Sequence, residues 1–137
     1  MIGIVVATHA GLGEALIDAA EAILEGPMEA VTAVSVDLKN SAEELRRQIS
    51  NGIKLVDQGD GVLILTDMFG GTPSNLSLSF LKEGCIDVLT GVNLPVLIRA
   101  VKNRKGIDFS ELAESLQDYG KKSILLASGV LKGNKGN

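Results

Sequence analysis

The chain has 137 residues, 45% hydrophobic, 22% charged and 3% aromatic, with a formal charge of -4 at pH 7. That length suits one compact domain with a core of Val, Ile, Leu and Ala, burying roughly two thirds of its unfolded surface. The acidic balance argues against a nucleic-acid backbone binder, which usually carries a basic face. The longest uncharged stretch, residues 68–81, is too short and too rich in Gly, Ser and Asn to span a bilayer, so no membrane insertion is expected.

Residues 2–7 form a β-branched run that stops at Thr8-His9, as a buried parallel strand would. Leu12, Ala15, Leu16, Ala19 and Ile23 then recur at offsets of three and four, one apolar helical face that Gly26-Pro27 ends. Residues 31–36 read as a second strand. Ser41 with Glu44 is a capping-box pair, and Leu45, Ile49, Ile53 and Val56 carry a helix on to about Asp57. Residues 61–66 make a third strand. A helix is expected from Thr72-Pro73, a hydroxyl residue before proline at the first helical position, to Lys82. After a fourth strand at residues 86–90, Asn93-Leu94-Pro95 opens another helix. The last helix begins after Asp108, with Glu111 in its first turn, and is expected to stop at Gly120 as a left-handed cap. Residues 123–127 make a fifth strand. The segment 131–137, "LKGNKGN", has nothing to bury and is expected to be a disordered tail on a single domain spanning 1–130.

Strand and helix alternating with short connections give an α/β fold, an open doubly wound, mostly parallel sheet with right-handed crossovers. Fold statistics favour the strand order 2-1-3-4. Arg99, Lys102, Arg104 and Lys105, like Arg46 and Arg47, read as solvated helix faces. Cys85 is the only cysteine, so no internal disulfide forms, and the N-terminus has no basic region with a cleavage site; a cytoplasmic protein is expected.

Ligands of such sheets gather beyond the carboxyl ends of the strands, where the strand order reverses. The order 2-1-3-4 puts His9, the only histidine, across that point from Asp67. A carboxylate holding one ring nitrogen fixes the tautomer, frees the other nitrogen as a nucleophile and stabilises positive charge on the ring. Gly70, Gly71, Thr72 and Pro73 add close backbone approach, a hydroxyl and a helix start whose free N–H groups suit an anion. Together these parts can accept and donate a phosphoryl group, by positioning and electrostatics. No lysine follows the glycines as in a Walker A loop, and one His with one Cys is no zinc set, so neither ATP, nor a metal, nor any other cofactor is expected.

Three segments, "GIVVATHAGLGEAL", "LTDMFGGTPSN" and "TGVNLPVL", resemble the enzyme IIA domain of the mannose-type bacterial sugar phosphotransferase system, with the likeness running from Ile2 to about Gly129. The resemblance implies that His9 takes a phosphoryl group from the histidine phosphocarrier protein, on the nitrogen remote from Asp67, and passes it to a IIB component for sugar uptake. It places Thr72 at a family Ser/Thr position that helps hold the phosphoryl group, beside Gly71 and its neighbouring amides. It further implies a homodimer in which the last strand, residues 123–127, runs antiparallel and is exchanged between subunits. With the chain ending at Asn137, the IIB component is expected to be separate. Met68 and Phe69 are the candidate docking contacts.

Other readings stay open on the residues alone. The chain could be a regulatory phosphoacceptor without a transport role, or a non-catalytic α/β module binding an anion or nucleotide with His9 as a contact. A receiver phosphorylated on Asp67 fits poorly, because "VVATHAG" lacks the acidic residues that would hold Mg²⁺.

Overall fold

The computed structural model describes residues 1–133. Its strands are β1 (Gly3–His9), β2 (Val31–Val36), β3 (Val62–Thr66) and β4 (Ile86–Thr90). Its helices are α1 (Leu12–Leu24), α2 (Ala42–Val56), α3 (Thr72–Leu78), α4 (Leu94–Asn103), α5 (Phe109–Lys122) and α6 (Ala127–Leu131). The sheet has the expected order β2-β1-β3-β4, and every neighbouring pair is parallel. The chain steps from β1 outward to β2, then returns past β1 to β3, so the reversal falls between β1 and β3.

Side chains alternate across the sheet, and each face finds its own helices. Ile2, Ile4, Val6, Leu63 and Leu65 pack with residues of α1, α4 and α5 such as Ala20, Leu97 and Leu116. Val5, Ala7, Val34, Val36, Val62 and Ile64 pack with α2 and α3, through residues such as Leu45, Ile49 and Leu76. Each large apolar side chain so buried contributes about 1.5–3 kcal/mol. The ladder holds the carboxyl ends in register, with Ala7 opposite Thr66 and His9 opposite Val36. β1 therefore runs through Thr8 and His9, two residues beyond the apolar run that announces it.

Helix starts follow their cap residues. Ser41 Oγ accepts from the Glu44 N–H at 3.1 Å, Asn93 Oδ1 from the Val96 N–H at 2.9 Å, and Asp108 Oδ2 from the Glu111 N–H at 3.3 Å. Helix ends depart from expectation in two places. α3 stops at Leu78, short of Lys82, where Ser79, Phe80 and Leu81 turn to i→i−3 bonds and the Ser77 and Ser79 hydroxyls bond the carbonyls of Pro73 and Leu76. α5 continues through Gly120 to Lys122. Gly120 serves a helix crossing instead of a cap, because a Cβ there would lie 3.1 Å from Val96 Cγ2 of α4.

The expected fifth strand does not form within one chain. Ser123 caps α5, where its hydroxyl bonds the Gly120 carbonyl and receives the Asn93 amide, and Ala127 already begins α6. Ile124, Leu125 and Leu126 between them are 81%, 68% and 78% exposed, and among the described residues no strand pairs with them. Of the expected tail, Leu131 ends α6, while residues 134–137 lie outside the described residues.

Arg104 does not belong to a solvated face. It is buried, and its guanidinium donates to the carbonyls of Ile2, Glu29 and Ala30, tying α4 to the starts of β1 and β2. Burial lowers its pKa, against the opposing effect of the Glu29 charge. Among the described residues no helix is long and apolar enough to cross a membrane.

Candidate functional site

His9 ends β1 and Asp67 is the first residue past β3, so the two leave adjacent strand ends. Asp67 Oδ2 accepts the His9 backbone N–H at 2.9 Å and lies 2.8 Å from His9 Nδ1, while Oδ1 accepts the Met68 N–H at 3.0 Å. An ionised carboxylate can only accept, so Nδ1 carries the ring hydrogen and the lone pair falls on Nε2. Nε2 has no hydrogen-bond partner among the described residues. The His9 side chain is 36% exposed and that of Asp67 12%, an accessible ring above a covered carboxylate.

Burial pushes the Asp67 carboxyl up. The backbone and ring hydrogen bonds from His9, together with its charge, outweigh that effect and hold the carboxyl below its ordinary value of 3.8. Asp67 is therefore ionised across the neutral range, ready to orient the ring and to balance charge on it.

The loop after β3 comes to the same place. Gly71 is the N-cap of α3, so Thr72 and Pro73 are its first two helical residues, and the helix begins one residue earlier than the sequence suggested. A Cβ on Gly71 would lie 2.9 Å from His9 Cε1 and 3.6 Å from Nε2, which puts the Gly71 backbone against the free edge of the ring. Asn75 secures the loop: its N–H bonds the Gly71 carbonyl at 2.9 Å and its side-chain amide the Gly70 carbonyl at 3.3 Å. Met68 and Phe69 beside it are 55% and 74% exposed.

On the other side of His9 lies a cleft of about 640 Å³, walled by Ala10, Gly11 and the segment from Ser35 to Lys39. Sequence reasoning passed over residues 37–39, although the rule that directed attention to the ends of β1, β3 and β4 applies equally to the end of β2. Among the described residues no group of three or more His, Cys, Asp or Glu side chains comes together to hold a metal.

A family model described as the PTS system fructose IIA component matches residues 3–117. The chain belongs to this family. As a IIA component it is 28% identical to the PTS system fructose-specific EIIA component of Bacillus subtilis, over 96% of this chain and 90% of that one. It is 30% identical to the PTS system mannose-specific EIIAB component of Escherichia coli, over 90% of this chain but only 38% of that longer protein. Solved structures agree: phosphotransferase system component EIIA from Streptococcus agalactiae superposes with a TM-score of 0.82 at 25% identity, covering 93% of this chain and 98% of that one. A PTS IIA protein associated with the fucose utilization operon of Streptococcus pneumoniae gives 0.78 at 27% identity, covering 95% and 96%. Phosphotransfer in sugar uptake is the general function of this IIA family.

Proposed function

We propose that the chain is a phosphocarrier in which His9 Nε2 takes a phosphoryl group from the histidine of the phosphocarrier protein and passes it to a IIB component. The observation that supports this most directly is the 2.8 Å contact between His9 Nδ1 and Asp67 Oδ2. In the transfer, the Nε2 lone pair forms a bond to phosphorus as the donor's P–N bond breaks, and the donor imidazole leaves with the electron pair. No proton need move, because Nδ1–H stays on Asp67 and the carboxylate balances the positive charge on the ring. Gly70, Gly71, Thr72 and Pro73 form the cradle: the missing side chain of Gly71 leaves room beside Nε2, and the Thr72 amide and hydroxyl are donors for the equatorial oxygens. Met68 and Phe69 dock the protein partners.

Asp67 itself is poorly suited to be the acceptor. Oδ2 already receives two donors and Oδ1 a third, so attack by either oxygen would forfeit them. The test is incubation with phosphoenolpyruvate, enzyme I and the phosphocarrier protein. One acid-labile, alkali-stable phosphate per chain is expected, carried through to IIB, with Gly71→Val blocking uptake while the fold is kept. A mark stripped by alkali, or no mark, removes the proposal.

The same reading includes a homodimer. Among the described residues the outer edge of β4 is bridged at its start, where Ile86 pairs with Lys82, and carries no further strand beyond it, and the exposed Ile124 and Phe69 flank a cleft of about 450 Å³ along it. Residues 123–127 of a second copy, antiparallel to β4, would cover that edge and bury the exposed Leu125 and Leu126. Sedimentation equilibrium should give twice the chain mass, and a Leu125→Asp chain should be a monomer. A native chain that sediments as a monomer would end this part of the proposal.

A further inference from the structure

His9 is held by Asp67 on one side, and the residue on its other side is strained. Ala10 has φ +47°, a left-handed conformation that brings an L-residue's Cβ too close to the following carbonyl. Two contacts fix the ends of this turn: Thr8 Oγ1 accepts the Gly13 N–H at 2.8 Å, and the Gly11 carbonyl accepts the Ala15 N–H at 3.1 Å. Neither touches Ala10. Its carbonyl is instead taken by the hydroxyl of Ser35, which donates from β2. Ser35 is the ladder partner of Thr8, so this donor stands on the sheet itself, level with the residue before His9, and it lines the cleft beside the ring.

We propose that Ser35 is a positioning residue for His9: its hydroxyl holds the Ala10 peptide in the left-handed turn, and that turn sets the direction of the His9 backbone toward Asp67. The peptide joining His9 to Ala10 is a rigid plane held between β1 and α1, so when Ala10 leaves its left-handed turn that plane shifts as a unit and carries the His9 Cα and side chain with it. The backbone N–H and Nδ1–H of His9 share one oxygen, Asp67 Oδ2, so a small rotation of His9 loosens both contacts together. The strain at Ala10 is local and the device that opposes it comes from another strand, as expected where a backbone outlier serves a site. This inference rests on the phosphocarrier reading for its effect on rate, but not for its effect on the His9–Asp67 hydrogen bond.

The test compares the native chain with Ser35→Ala, Ser35→Thr, and Ser35→Ala combined with Ala10→Gly. Phosphoryl uptake from the phosphocarrier protein is read as kcat and KM, and the His9 Nδ1–H resonance by NMR. In Ser35→Ala, kcat should fall about tenfold with KM unchanged, the scale of a modest misplacement of a reacting group. The Nδ1–H resonance should broaden as its hydrogen bond loosens. Ser35→Thr keeps the hydroxyl and should restore both readouts. Ala10→Gly should restore both in the Ser35→Ala chain, because glycine takes a positive φ without help. Native kcat and a native Nδ1–H resonance in Ser35→Ala would overturn the proposal, as would a fall in kcat that neither Ser35→Thr nor Ala10→Gly reverses. A native chain that takes up no phosphate would defeat the phosphocarrier reading instead, leaving the Nδ1–H comparison to decide on Ser35.

Discussion

A His9→Ala chain should take up no phosphate, and an Asp67→Asn chain should take it up slower by about 10²-fold or more. The first result follows from chemistry, since the other nitrogen bases near the site are amides and a lysine, none matching imidazole at neutral pH. The second follows from geometry and charge. The Asp67→Asn change keeps the size of the side chain, but the new amide rotated one way offers an NH₂ to Nδ1 and forces the ring hydrogen to Nε2, which removes the attacking lone pair. Rotated the other way it keeps the tautomer and forfeits the negative charge that balances the phosphorylated ring. Asp67 lies at a strand end, so the fold should survive; single-turnover uptake with labelled phosphocarrier protein measures the rate, and circular dichroism checks the fold. Native turnover in the Asp67→Asn chain would remove Asp67 from the mechanism.

A large stability loss is expected from Gly61→Ala, about 3 to 5 kcal/mol. Gly61 has φ +102°, where an L-residue is strained, and an added Cβ would lie 2.5 Å from Cδ1 and 3.0 Å from Cε1 of Phe109. Phe109 cannot easily step aside, because it packs with Leu112 and Leu116 of α5 against the sheet. Both penalties act at the entry to β3, whose far end carries Asp67. Urea unfolding followed by circular dichroism gives the loss, and a change below about 1 kcal/mol would show that Phe109 rearranges freely. The damage should stay separable from catalysis: where the variant remains folded, its uptake of phosphate should approach the native rate.

Much of this architecture is legible in local pattern. Runs of β-branched residues between turn residues mark four strands, and residues 31–36 and 86–90 coincide with β2 and β4. Ser41, Asn93 and Asp108 start their helices as short acceptor side chains should, because a cap bond is satisfied within three residues of chain. Where a side chain's role was misread, the reason lies in something distant in sequence. Gly120 resembles a stop signal, yet Val96 of α4 needs its small size inside α5. Arg104 resembles a surface charge until the carbonyls of Ile2, Glu29 and Ala30 gather round it. Residues 123–127 have strand composition, but a strand needs a neighbour, and the one read for them belongs to a second copy that a single chain does not hold.

For the site, the sequence by itself determined the parts: one imidazole after a strand, one carboxylate after another, and a Gly-Gly-Thr-Pro turn into a helix. Their meeting was decided by tertiary structure, because the parallel ladder that sets Ala7 against Thr66 closes a gap of 58 residues between His9 and Asp67. The tautomer of His9, the placing of Gly71 against its free edge, and the hold of Ser35 on the strained Ala10 were decided there too. The physical reason is range. Propensities and caps act over three or four residues and can be read along the chain, whereas a hydrogen bond between strand ends exists only once packing has fixed which strands are neighbours and in what register.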